Sequence, residues 1–174
     1  MPEAGERRVG TRVVGLGSPF GDDGAGWRVV ERLCAGGLPE DVEAVACADP
    51  ARDLLPLLAG TREVVLVDAL LGGGAPGTLR RCTRDDLARD PGRISSHGHD
   101  LAALLDLAEV LGRLPERLSI FGIAADGDGP AGGGLTPRVA AAADRLADRL
   151  RHAMAQRATA APAETDWMPL EDHA

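Results

Sequence analysis

Apolar positions along the chain fall into two alternating rhythms. Val13-Val14-Gly15-Leu16-Gly17, within Val9–Gly17, is a short continuous apolar run of the kind that forms a buried strand. From Ala25 to Cys34 the spacing becomes helical, with Val29, Val30 and Leu33 on one side, and Gly36-Gly37 ends the element. The exchange then repeats. Asp41–Cys47 reads as a second strand and Ala51–Leu58 as a short helix ahead of Gly60. Glu63–Ala69 is the clearest strand, a β-branched run that meets Asp68 near its end. After the glycines 72 to 74 and Pro76-Gly77, Thr78–Thr83 predicts a fourth strand at a sheet edge. A helix opening near His97 carries Leu101, Leu104, Leu105, Leu107 and Leu111 on its apolar side. Leu118–Ala124 is a fifth strand. Thr136-Pro137 then opens a last helix running to about Met154, with Pro at the first helical position.

Strands that alternate with helices predict an α/β three-layer sandwich: a mostly parallel twisted sheet of about five strands with helices on both faces. The 174 residues, 44% of them hydrophobic, suffice for one domain with a full core. That domain is expected over residues 1–156, with the Ala-, Pro- and acid-rich residues 157–174 as a mobile tail. Aromatics make up only 2%, so Leu, Val and Ala must build the core.

Charge removes several classes of function. The net charge is −8, with acids and arginines interspersed, which leaves no footprint for nucleic acid and no polybasic patch for a membrane surface. Arg80, Arg81 and Arg84 are followed at once by Asp85 and Asp86 and read as a solvated face. Cys34, Cys47 and Cys82 are far apart and odd in number, so neither a disulfide framework nor a zinc knuckle is expected. Met1–Arg12 lacks the apolar core of a signal peptide and no apolar run reaches membrane-spanning length, so a cytoplasmic location is the default expectation.

In open α/β sheets, functional groups gather beyond the C-terminal ends of strands, where the strand order reverses. Polar groups fall at three such places: Asp22-Asp23 after the first strand, Asp68 at the end of the third, and His97 at the mouth of the fourth helix. One of the adjacent acids is expected to cap the following helix, which leaves the other free to face the crevice. Asp68 has a structural alternative in bonding to loop amides. His97 has one in simple solvation within a helix's first turn. His99 would project to nearly the opposite side of a helix, so only one of the two histidines should matter. Two carboxylates and an imidazole suit a divalent first-row ion with coordination positions left open. Gly15-Leu16-Gly17 after a strand also suggests a dinucleotide fold, but Phe20 stands where the third glycine belongs. Asp22 and Asp23 would repel a pyrophosphate.

The run Gly15-Leu16-Gly17-Ser18-Pro19-Phe20-Gly21-Asp22-Asp23-Gly24-Ala25-Gly26 resembles the N-terminal signature of the hydrogenase maturation proteases. The resemblance continues in order through Leu66-Val67-Asp68-Ala69, Ala75-Pro76-Gly77-Thr78, Ser95-Ser96-His97 and Gly134-Leu135-Thr136-Pro137, and covers about residues 11–150. It implies that Asp23, Asp68 and His97 correspond to the residues through which the family contacts nickel and carries out catalysis. The nickel comes with the substrate, and zinc or cadmium can take its place. The implied partner is the large-subunit precursor of a nickel–iron hydrogenase, from which a C-terminal extension is cut. Ser18 stands where Asn is common, Cys47-Ala48-Asp49-Pro50-Ala51 replaces a Gly/Thr-rich loop, and His99-Asp100 falls where small or apolar residues are usual. The loop change bears on which precursor is recognised, and His99 and Asp100 on the nickel contact. The alternative is a docking module of the same fold that senses nickel without cutting.

Overall fold

The computed structural model describes residues 9–89, 101–126 and 133–159. Five strands, β1 (Thr11–Leu16), β2 (Val42–Cys47), β3 (Glu63–Leu71), β4 (Leu79–Cys82) and β5 (Arg117–Ala125), form one sheet in the order β2-β1-β3-β5-β4. All neighbours are parallel except β4, which lies antiparallel on β5 at the edge. The helices are α1 (Ala25–Ala35), α2 (Pro50–Leu58), α3 (Arg84–Arg89), α4 (Leu101–Val110) and α5 (Pro137–Thr159).

Strand alternation sorts the apolar residues into two cores, one per face. Val65, Val67 and Ala69 of β3 pack with Val29 and Leu33 of α1 and Leu146 and Leu150 of α5. Val64, Leu66 and Leu70, on the other face, pack with Leu54 and Leu58 of α2, Leu87 of α3 and Leu101 and Leu105 of α4. This is the expected three-layer α/β sandwich. It explains why β3 reads as a continuous apolar run: both of its faces are covered. From β1 the chain steps outward to β2, then returns past β1 to begin β3. The strand order therefore reverses between β1 and β3.

Three local readings change. A helix, α3, follows β4 where only a solvated charge cluster was expected. Thr83 opens it: its hydroxyl accepts from the Asp86 N–H at 3.2 Å, and its N–H and hydroxyl donate to Asp86 Oδ2 at 2.8 and 2.7 Å. This reciprocal cap holds the short element, and Arg84 ties it to α4 through Asp106 and Glu109. On α4, Leu101, Leu105 and Ala108 are buried, whereas Leu107 and Leu111 face solvent. The last helix runs past Met154 to Thr159, because Arg157 reaches back to Glu63 at the start of β3 at 2.7 Å. His97, His99 and Asp100, and the tail beyond Thr159, lie outside the described residues.

Candidate active site

Glycines at the end of β1 let the chain turn back tightly over the rim. Gly17 has φ +133°, and a Cβ built there would lie 2.0 Å from the carbonyl oxygen of Asp23. Asp23 is thus folded directly against the end of β1, in a short 3-10 turn at Gly21–Gly24. At Gly26, a Cβ would lie 2.4 Å from Leu16 O and 2.5 Å from Val67 O. Only glycine lets the first turn of α1 sit across β1 and β3 at the point of reversal. The glycine pattern that first suggests nucleotide binding serves close packing of helix on sheet.

The adjacent acids divide their work differently from expectation. The cap positions of the 3-10 turn and α1 are held by Phe20 and Gly24, neither of which makes a side-chain cap bond. Asp22, only 1% exposed, instead accepts from the Thr136 N–H at 2.6 Å and from the Thr136 hydroxyl at 3.0 Å. A backbone bond from Gly21 N–H to Gly133 O, 2.8 Å long, runs beside this pair. Gly77, in the turn between β3 and β4, packs so closely on α5 that a Cβ would lie 2.7 Å from Arg138 O. Three of the sequence motifs thereby meet at the start of α5 and brace the rim from behind.

Asp68 occupies the other side of the reversal point. The β1–β3 ladder ends at Gly15↔Val67, and β3 continues along β5 alone, with Asp68 opposite Gly122. The strand runs on to Leu71, so Asp68 lies within it; what ends at its level is the neighbouring β1. The side chain falls on the same face as Leu66 and Leu70 and is 1% exposed. Its Oδ1 accepts from the Ala69 N–H at 2.8 Å, while Oδ2 is buried with no hydrogen-bond partner among the described residues. The carboxyl is pushed up to about 8, chiefly by burial and further by the negative charge of Asp23, against the opposing effect of the Ala69 bond. Asp23 Oδ2 is likewise withdrawn from solvent.

The structure therefore brings Asp23 and Asp68 into electrostatic contact across the point where the strand order reverses. His97 lies outside the described residues, and no cluster of three metal-binding side chains occurs among those described. Leu101, at the start of α4, is buried in the same cluster as Leu16, Leu66 and Leu70. Two arranging residues were missed from sequence, Asp22 as a brace and Gly26 as a seat for α1. The Gly-x-Gly pattern of Gly24-Ala25-Gly26 carried a signal for the second. A cavity of about 440 Å³ at the β4 edge, lined in part by Arg81, Arg84 and Ser119, is a separate feature.

Comparison with known proteins agrees with this geometry. The model of the family described as hydrogenase maturation protease matches residues 27–153. The chain is 30% identical over 148 residues to the hydrogenase expression/formation protein HupD of Rhodobacter capsulatus, covering 83% of this chain and 70% of that protein. It is similar in structure to the hydrogenase maturating endopeptidase HybD from E. coli, with a TM-score of 0.69 and 26% identity over 85% of this chain and 93% of that one. It is also similar to an endopeptidase from Escherichia coli solved in solution, with a TM-score of 0.72 and the same identity and coverage.

Proposed function

The chain belongs to the hydrogenase maturation protease family and is a hydrogenase maturation endopeptidase; we propose that it cuts the C-terminal extension from a nickel-loaded large-subunit precursor of a nickel–iron hydrogenase, with Asp23, Asp68 and His97 contacting the nickel. Membership in a family of proteases leaves no independent support for a docking module that does not cut.

One observation carries the assignment. A carboxyl oxygen, Asp68 Oδ2, is buried without a hydrogen-bond partner among the described residues and feels the charge of a second acid, at the crevice where sheets of this class place their chemistry. A buried unpaired carboxylate is costly to the fold, and a second negative charge adds to the cost. An incoming divalent cation relieves both. The oxygen is then a group held ready for a ligand, at the expense of stability.

In this reading the nickel is part of the substrate, held by cysteine thiolates of the precursor. Two carboxylates and one imidazole are a weak set for such an ion, and substrate sulfur completes its coordination. Empty precursor lacks the ion and binds poorly, so cleavage is confined to loaded precursor. Water adds to the scissile carbonyl carbon, the C–N bond breaks, and the departing amine takes up a proton. Two routes supply the activation: polarisation of the carbonyl by the ion, or removal of the water's proton by Asp68.

The test is processing of nickel-loaded precursor by Asp68→Asn, read as loss of the C-terminal peptide by mass. Precursor left uncut by a folded variant supports the site; processing at the wild-type rate contradicts it.

A further inference from the structure

Four large apolar side chains stand out in solvent among the described residues: Phe20, Leu107, Val110 and Leu111. Scattered exposed apolar residues are ordinary, so their places in the fold decide what they signify. Leu107, Val110 and Leu111 cluster at the C-terminal end of α4. That end leads into the start of β5, at the opposite end of the sheet from Asp68. Phe20 alone projects from the rim that carries the proposed site, three residues before Asp23, and is 74% exposed.

Phe20 is also held firmly. It has an extended backbone, φ −109° and ψ 120°, and its N–H donates to Ser18 Oγ at 3.4 Å. The next residue, Gly21, is bonded to Gly133 O, and Asp22 after it is locked to Thr136. An exposed phenyl ring on a braced turn loses little freedom when it is covered, which is the property of an anchor. Phe20 and Asp23 belong to one short turn, so a peptide bond brought to Asp23 comes within reach of this ring. The two acids attract a cation; the ring on the turn that carries Asp23 offers only apolar surface. Its complement is an apolar side chain.

We propose that Phe20 is a specificity-determining anchor that packs against an apolar side chain of the precursor next to the scissile bond. This rests on the assignment of the cleavage site to Asp23 and Asp68. The ring acts on docking alone, aligning the chain so that the bond to be cut lies over the two carboxylates.

Steady-state processing of nickel-loaded precursor tests this with Phe20→Ala and Phe20→Leu. Both should melt like wild type, because the side chain is exposed. Phe20→Ala should raise KM about tenfold, equivalent to about 1.4 kcal/mol, with kcat within about twofold. Phe20→Leu should recover most of the loss. Binding of the same precursor to Asp68→Asn, with and without Phe20→Ala, keeps the docking claim separate from the site claim. Weaker binding of the double variant supports the anchor even if Asp68→Asn still cuts. Unchanged KM and unchanged binding in Phe20→Ala, or a loss confined to kcat, would overturn it.

Discussion

Thr136 donates both its backbone N–H and its hydroxyl to the two oxygens of the Asp22 carboxylate, at 2.6 and 3.0 Å, across 114 residues of sequence. The pair joins the turn after β1 to the start of α5, so the residue next to Asp22 is fixed by a contact it does not make itself. Asp23 owes its position to this brace and to the glycine at residue 17. The division of labour between the adjacent acids follows: one holds the turn, and the charge of the other is felt by Asp68.

Breaking the brace should cost stability and processing together. Asp22→Ala removes a buried acceptor of two hydrogen bonds and should destabilise by about 2–3 kcal/mol, read by urea unfolding. Thr136→Val removes only the hydroxyl bond and should cost about 1 kcal/mol. Processing should fall in the same order, because the displaced turn carries Asp23.

A clash prediction concerns Gly26. A Cβ there meets two backbone oxygens at 2.4 and 2.5 Å, and neither can move without bending β1 or β3. Gly26→Ala should therefore destabilise by about 3 kcal/mol or more and abolish processing, whereas substitution at Gly37, where nothing lies within 4 Å, meets only its positive φ of 77°. Thermal melts of the two variants separate steric overlap from backbone strain.

The raised carboxyl of Asp68 gives a signed pH dependence. Its folded value of about 8 lies above the ordinary 3.8, so the folded state binds the proton more tightly than the unfolded one. The stabilisation is complete below about pH 4 and is lost as pH rises through about 8. Asp68→Asn removes the titration. The melting temperature of the variant relative to wild type should therefore climb between pH 4 and pH 8 and level off above that. A difference that stays flat over this window would contradict the buried, unpartnered carboxyl. The same substitution should stabilise the protein at pH 8 while destroying its activity.

At the far end of the sheet, Glu63 is buried against Arg157 at 2.7 Å, with Arg117 at 3.5 Å. Arg157→Ala should cost about 2 kcal/mol, less than the loss of a whole buried pair because Arg117 remains. Precursor processing should be unchanged at a temperature where the variant stays folded. Stability and activity, coupled at Asp22 and Thr136, should be uncoupled here.

The sequence rhythm exposes the layers of the fold because β3 and its neighbours bury both faces and the long helices bury one. The order of the strands is absent from that rhythm: parallel strands read alike wherever they stand in the sheet. Short elements escape for another reason. The six-residue α3 is held by Thr83 and Asp86 and by ion pairs to α4, signals that a run of charges conceals. Asp68 is legible as an acid inside an apolar strand, but its unpartnered oxygen depends on β1 ending at its level. The role of Asp22 was hidden because its partner lies on another element, and local reasoning assigns such an acid to the nearest helix.

The central claim is that a pair of rim carboxylates, with His97, reads the nickel of the precursor and licenses the cut. The most direct measurement is the mass of a nickel-loaded precursor after incubation with wild type, Asp23→Asn, Asp68→Asn and His97→Ala, each shown to be folded. Wild type should release the C-terminal peptide, and each variant should be slower by about a hundredfold or more. Release at the wild-type rate by the three variants would contradict the account.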